Sequence, residues 1–188
     1  MLSSIINAMN ELDFSPQNIT NFLNSNRRSP VILCIGTDRV CGDALGPLVG
    51  TLLTSQFNVP SFVYGTLDRP ITALNLSDAV QFISSHHALC PIIAIDSCVG
   101  RSDEVGKIRL FNGGIKPGLA TGKNLPKVGD ISITATVARS GNENSLFRVS
   151  LSLIYSLSLN IASKVNQAVK SANTVKPSTI HCYNTTIV

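Results

Sequence analysis

Short runs of β-branched and apolar residues at 31–35, 61–64 and 92–95 are separated by stretches of helical length at 43–56 and 71–86, and this rhythm constrains the chain most. Each run is too continuously apolar to keep one face in water, so each reads as a strand buried on both sides. Parallel neighbours need a crossover of a dozen or more residues, and the intervening stretches supply it. The order strand, helix, strand, helix, strand therefore predicts an α/β fold with a mostly parallel sheet and helices on both faces. A fourth run at 131–137 extends the sheet. Residues 107–111 read as a further strand, but only a short Gly, Ser and Asp connector joins them to Ile95. So short a link predicts an antiparallel neighbour.

Ser15 and Pro16 supply a cap and a first-turn proline for a short helix to about Leu23, expected to cover a sheet edge. Downstream, Val149, Leu153, Leu157, Ile161, Val165 and Val169 recur at four-residue steps within 142–170. Serine alternates with leucine in part of that stretch, as in a strand, but the four-residue spacing outlasts the alternation and predicts a long helix. With 188 residues, 44% hydrophobic and 14% charged, the chain reads as one compact domain over 1–188. Residues 1–29 form its N-terminal helix and lead-in, and 177–188 a tail.

The same arithmetic narrows the function. Fifteen basic against 11 acidic residues give +4, but the basic residues are scattered, so no nucleic-acid-binding stripe forms. Residues 149–163 are broken by Ser150, Ser152, Ser156, Ser158 and Asn160, too polar to span a bilayer, and no membrane association is expected. The first ten residues lack the basic start of a secretory signal. Five cysteines without CxxC pairing read as reduced thiols of a cytoplasmic protein.

In open α/β sheets ligands bind beyond the carboxyl ends of the strands. That rule selects the loop Gly36, Thr37, Asp38, Arg39, Val40, Cys41, Gly42 running into Asp43; the loop with Gly65, Thr66, Asp68 and Arg69; and the residues from Asp96 through Ser97, Cys98, Val99 and Gly100. Asp43 lies where the first loop becomes a helix and reads either as an N-cap or as a site carboxylate. Asp96 follows the run 92–95, so its carboxylate should emerge at a neighbouring strand top. Two such carboxylates converging on one volume raise one pKa and leave the partner ionised, which is what acid and base catalysis on a water needs.

Other signatures are missing: no GxGxxG, no GxxxxGK, no GxSxG and no HExxH. No organic cofactor is expected. Cys41 and Cys98 lie in the site loops, but His86 and His87 precede the strand at 92 and belong to the bottom edge, so a Cys/His pair is disfavoured. Asp38, Asp43, Asp68, Asp96 and Asp103 offer oxygen enough for a divalent cation as a minor alternative, whereas nickel or zinc would want imidazole or thiolate. The glycine-rich loop 112–129 carries Lys116 and Lys123, either as a solvated connector or as a reach towards a substrate carboxylate or carbonyl. Asp130 reads as a turn residue, and Arg139, Ser140 and Asn142 as residues that reach the cleft.

The segments Cys34-Ile35-Gly36-Thr37-Asp38-Arg39 and Gly42-Asp43-Ala44-Leu45-Gly46-Pro47 resemble the YyaC family of bacterial sporulation proteins. So do Tyr64-Gly65-Thr66-Leu67-Asp68, Ile93-Ala94-Ile95-Asp96-Ser97-Cys98, Lys116-Pro117-Gly118 and 122–130, and the likeness runs from about Pro30 to at least Gly141. That family is similar to the spore germination protease and more distantly to hydrogenase-maturation endopeptidases. The resemblance implies a three-layer α/β/α fold, phosphorylase/hydrolase-like, with a mixed five-stranded sheet and one strand antiparallel. It implies hydrolysis of a protein or peptide substrate in the cytoplasm of the mother cell or forespore, with Asp43 and Asp96 as the catalytic pair. Gly36, Thr37, Asp38, Arg39, Gly42, Thr66, Asp68 and Lys123 are then the expected substrate-binding residues. In the maturation enzymes two acids and a histidine recognise nickel; the histidine has no counterpart here. The germination protease is considerably longer, so its substrate does not carry over. The alternative is a non-catalytic peptide- or cation-binding protein on the same fold.

Overall fold

The computed structural model describes residues 10–117, 127–141 and 144–172. In chain order its elements are β1 (Asn10–Leu12), α1 (Pro16–Asn26), β2 (Val31–Cys34), α2 (Leu45–Thr51), β3 (Phe62–Tyr64), α3 (Leu76–His86), β4 (Ile92–Gly100), β5 (Ile108–Asn112), β6 (Ile131–Arg139) and α4 (Leu151–Ser171). The strands form one sheet in the order β1-β5-β6-β4-β2-β3. β3, β2, β4 and β6 are mutually parallel, and β5 runs against both of its neighbours. The expected parallel sheet with a single reversed strand is therefore present, but it has six strands rather than five. The added strand, β1, pairs Asn10 with Asn112 and Leu12 with Leu110. Three residues are too few to carry a readable period.

The continuous apolar runs are explained by burial on both faces. Along β2, Ile32 and Cys34 enter the core shared with α1, α2 and α4, while Val31 and Leu33 enter the one shared with α3. α4 is helical throughout, and Ile154, Leu157, Ile161, Val165 and Val169 are buried along it. It begins at Leu151 rather than 142, after a separate turn at Ser145–Arg148. α1 is capped as expected, the Ser15 hydroxyl accepting from the Asn18 N–H at 3.3 Å. It does not cover a sheet edge: Ile19 and Leu23 are fully buried in the core that α4 closes, and the Thr20 hydroxyl reaches the Ala168 carbonyl at 3.4 Å. Two helices also start later than their sequence signals. The Cys41–Asp43 turn precedes α2, and the Asn75 side chain, accepting from the Thr72 N–H at 2.7 Å, delays α3 to Leu76. Among the described residues no helix is long and apolar enough to cross a membrane.

From β2 the chain first moves outward to β3 and then crosses back to β4 on the other side. The strand order thus reverses between β2 and β4, and it is above the carboxyl ends at such a point that open α/β sheets bind ligands in a crevice.

Candidate active site

The last pair between β2 and β4 is Cys34 with Ile95, after which β2 ends and β4 continues. Asp96 is therefore not in a loop, as the sequence suggested. It lies inside β4, still paired with Thr134 of β6 on one side, while the β2 side has fallen away. This overrun gives Asp96 a backbone fixed by the sheet and a position at the mouth of the crevice.

Asp43 is brought over the same spot by the loop above β2. Gly36 turns the chain with φ +143°, and a Cβ there would stand 2.1 Å from the Asp43 carbonyl oxygen. Only glycine fits so close an approach. The Thr37 N–H then donates to the Asp43 carbonyl at 3.1 Å and closes the loop. The N-cap reading of Asp43 fails: Ala44 holds the capping position of α2, with no side-chain cap. The Asp43 carboxylate is instead stabilised by the Thr37 backbone N–H and the Ser97 hydroxyl.

The two carboxyl groups are electrostatically unequal. Asp96 is 8% exposed. Burial, and then the negative charge of Asp43, push its pKa well above the usual carboxylate range, against the Ser97 N–H that donates to Oδ1 at 2.8 Å. Asp43 is less deeply set, and burial outweighs its two donors to raise its pKa to about 6. Asp43 is mostly ionised at neutral pH, and Asp96, pushed well above the usual range, is the member of the pair that holds its proton more tightly. Two electrostatically coupled carboxyl groups of unequal proton affinity are what activating water on one side and polarising a carbonyl on the other requires.

The remaining expected residues divide. Gly36 and Gly42 are held in close packing: a Cβ on Gly42 would lie 2.8 Å from Leu146. Asp38 and Arg39 are exposed on the loop, the Arg39 N–H donating to the Thr37 hydroxyl at 3.3 Å. Thr66 and Arg69 close a turn after β3 through two backbone bonds of 3.1 and 3.2 Å, with Asp68 exposed in it. They sit at the same carboxyl-end edge of the sheet as the site carboxylates. Lys123, Asn142 and the tail from 177 lie outside the described residues. Lys116 is exposed. Asp130 accepts from the Ile92 N–H at 2.8 Å at the start of β4, a turn role.

Sequence reasoning named Ser97 only as a loop residue and missed the polar layer behind it. Cys98 Sγ lies 3.5 Å from the Thr136 hydroxyl, which accepts from Arg109 at 3.1 Å. Arg109 in turn pairs with Glu104 at 2.7 Å and Glu11 at 3.3 Å. The available signal was the two-residue period of Asp96 and Cys98 against Thr134 and Thr136, invisible once the strand was ended at Ile95. Burial pushes the Cys98 thiol up, so it is a poor nucleophile. His87 packs on Phe62 with ring centroids 4.3 Å apart and bonds the Tyr64 hydroxyl at 2.6 Å. Among the described residues no three His, Cys, Asp or Glu side chains stand together as a metal donor set.

Residues 5–164 match a family model described as "Protein of unknown function (DUF1256)". The uncharacterized protein YyaC of Bacillus subtilis (strain 168) is 44% identical over 111 residues, which cover 59% of this chain and 54% of that protein. The match thus spans about half the length of that relative. The crystal structure of a nickel–iron hydrogenase maturation protease, HycI, from Thermococcus kodakarensis KOD1 superposes with a TM-score of 0.51 at 18% identity, over 80% of this chain and 97% of that one. At that identity the likeness establishes a common α/β fold.

Proposed function

The chain belongs to the DUF1256 family, whose function is unknown, and we propose that it is a peptidase that hydrolyses a peptide bond with an aspartate pair. The observation that carries this reading is the unequal proton affinity of Asp43 and Asp96 at one crevice. Ionised Asp43 takes a proton from water as its oxygen attacks the carbonyl carbon, and protonated Asp96 gives its proton to the carbonyl oxygen. Collapse of the tetrahedral intermediate returns that proton to Asp96 while Asp43 delivers its own to the departing amine. Both groups end as they began, so neither is consumed. The maturation-protease fold of HycI supports the same class of chemistry. The kinship with YyaC leads us to place this activity in spore formation, in the cytoplasm of the mother cell or forespore.

The test is cleavage of a proteome-derived peptide library by the purified protein, read by mass spectrometry. New termini should appear with wild type and fall about 10²- to 10⁴-fold with Asp43→Asn and with Asp96→Asn. Fragments produced equally by both variants refute the pair. Peptides retained intact, with affinity lost in Asp43→Asn, point to the non-catalytic binder instead.

A further inference from the structure

A groove of about 640 Å³ runs between the carboxyl end of β6 and the entrance to α4. Val105, Val137, Ala138 and Leu153 contribute apolar surface to it, and Arg139 and Arg148 line it as well. Neither arginine has an ion-pair partner among the described residues, whereas Arg101 is paired with Asp103 at 2.7 Å and Arg109 with Glu104 and Glu11. The nearby arginines are neutralised by acidic neighbours, and these two add positive charge to the groove wall.

The groove is tied to the site. It includes Ser145, whose turn lays Leu146 on Gly42, the residue before Asp43. Along β6, Asp96 is level with Thr134 and Gly100 with Arg139. Four residues along β4 and five along β6, at a rise of roughly 3.3 Å per strand residue, put Arg139 about 13–16 Å beyond the level of Asp96, the reach of four to five residues of extended peptide.

We propose that this groove is a specificity subsite for an acidic side chain of the polypeptide substrate, four to five residues from the bond that is cut, with neighbouring apolar side chains on the groove wall. The proposal rests on the peptidase reading for the position of the cut, and on the groove alone for the binding. An acidic segment drawn directly to the carboxyl pair would be repelled by Asp43; held at the arginines it is neutralised at a distance where that repulsion is screened. Arginine suits the task because its planar fork grips a carboxylate with two donors.

Two measurements separate this proposal from the reading it rests on. The double variant Asp43→Asn/Asp96→Asn is titrated by fluorescence anisotropy with labelled ten-residue peptides alternating Leu with Glu, or Leu with Gln. The Glu peptide should bind more tightly by about 2- to 25-fold, each exposed arginine contributing about fivefold or less. Adding Arg139→Glu and Arg148→Glu should erase or reverse the preference, with Gln at both positions giving an intermediate result. In the wild-type library digest, Asp and Glu should be enriched four to five positions from the new termini, and the arginine variants should lose that enrichment. Selective binding without cleavage keeps the groove and removes the peptidase. Cleavage without acidic enrichment, in a protein that binds both peptides alike, removes the groove and keeps the peptidase. An oligothymidine binding as tightly as the Glu peptide overturns the proposal in favour of a general polyanion surface, and no binding of either peptide overturns it outright.

Discussion

The raised pKa of Asp43 makes folding stability depend on pH in a direction opposite to that of most surface carboxylates, and Asp43→Asn isolates the effect. In the folded chain the group titrates near 6, against an ordinary 3.8. Below 3.8 it is neutral in both states and costs nothing; as pH rises through 6 the folded chain must hold a charge that burial disfavours, and stability is lost. The full interval corresponds to about 3 kcal/mol, reduced to roughly 2–3 kcal/mol because Asp43 is not completely buried. Urea unfolding between pH 4 and 7.5 measures it. Wild type should lose that amount more than Asp43→Asn across the range, a difference of roughly 5–10 °C in Tm for a chain of this size. Asn retains one oxygen to accept from Thr37 or Ser97, so any offset from an altered hydrogen bond is the same at every pH and does not contribute to the slope. Parallel curves for the two proteins would refute the placement of Asp43 in a desolvated crevice.

Three further outcomes follow from the same geometry. The pH–rate profile of hydrolysis should be bell-shaped, with an acid limb near pH 6 as Asp43 ionises and an alkaline limb as Asp96 loses its proton; a profile flat from pH 5 to 8 contradicts the assignment. Cys98→Ala should keep most of the activity, because its thiol is pushed up and no histidine among the described residues is hydrogen-bonded to it, so inactivation by that change would revive thiol chemistry. Gly65→Ala should destabilise the fold by about 3 kcal/mol or more, since φ is +90° and the new Cβ would stand 1.8 Å from the Cys34 carbonyl oxygen; a cost below about 1 kcal/mol would mean that the turn after β3 relaxes freely.

How far the chain could be read in advance differed between its elements for physical reasons. β2 and the first half of β4 are buried on both faces, so continuous apolar runs marked them and their parallel pairing followed from the crossovers. β5 was legible from the shortness of its connector. β1 was not, because its three residues owe their strand conformation to the edge that β5 offers. The end of β4 was misplaced because Asp96 and Ser97 look like a strand terminus, yet pairing with β6 carries the backbone on to Gly100. Tertiary pairing overrode local composition there. The same override decided the site. Asp43 and Asp96 were legible as residues, but the N-cap alternative for Asp43 fell only once the loop closure at Gly36 and Thr37 was seen, and the role of Ser97 depended on a strand the sequence did not announce.

Ser97 donates to both carboxyl groups of the pair. Its backbone N–H donates to Asp96 Oδ1 at 2.8 Å, and its hydroxyl donates to Asp43. Alternation along β4 sends the side chains of 96 and 97 to opposite faces of the sheet, so one residue can serve both acids only because β4 has outrun β2 and left the crevice open beside it. Ser97→Ala removes the hydroxyl and keeps the N–H. The ionised form of Asp43 loses a charge-assisted hydrogen bond, and the acid limb of the pH–rate profile should move upward from about 6 by about one pH unit. The alkaline limb, set by the burial of Asp96, should stay in place, and Ser97→Thr should restore the acid limb. A purely structural role for Ser97 would lower the rate at every pH alike, and that result would detach the hydroxyl from the ionisation of Asp43.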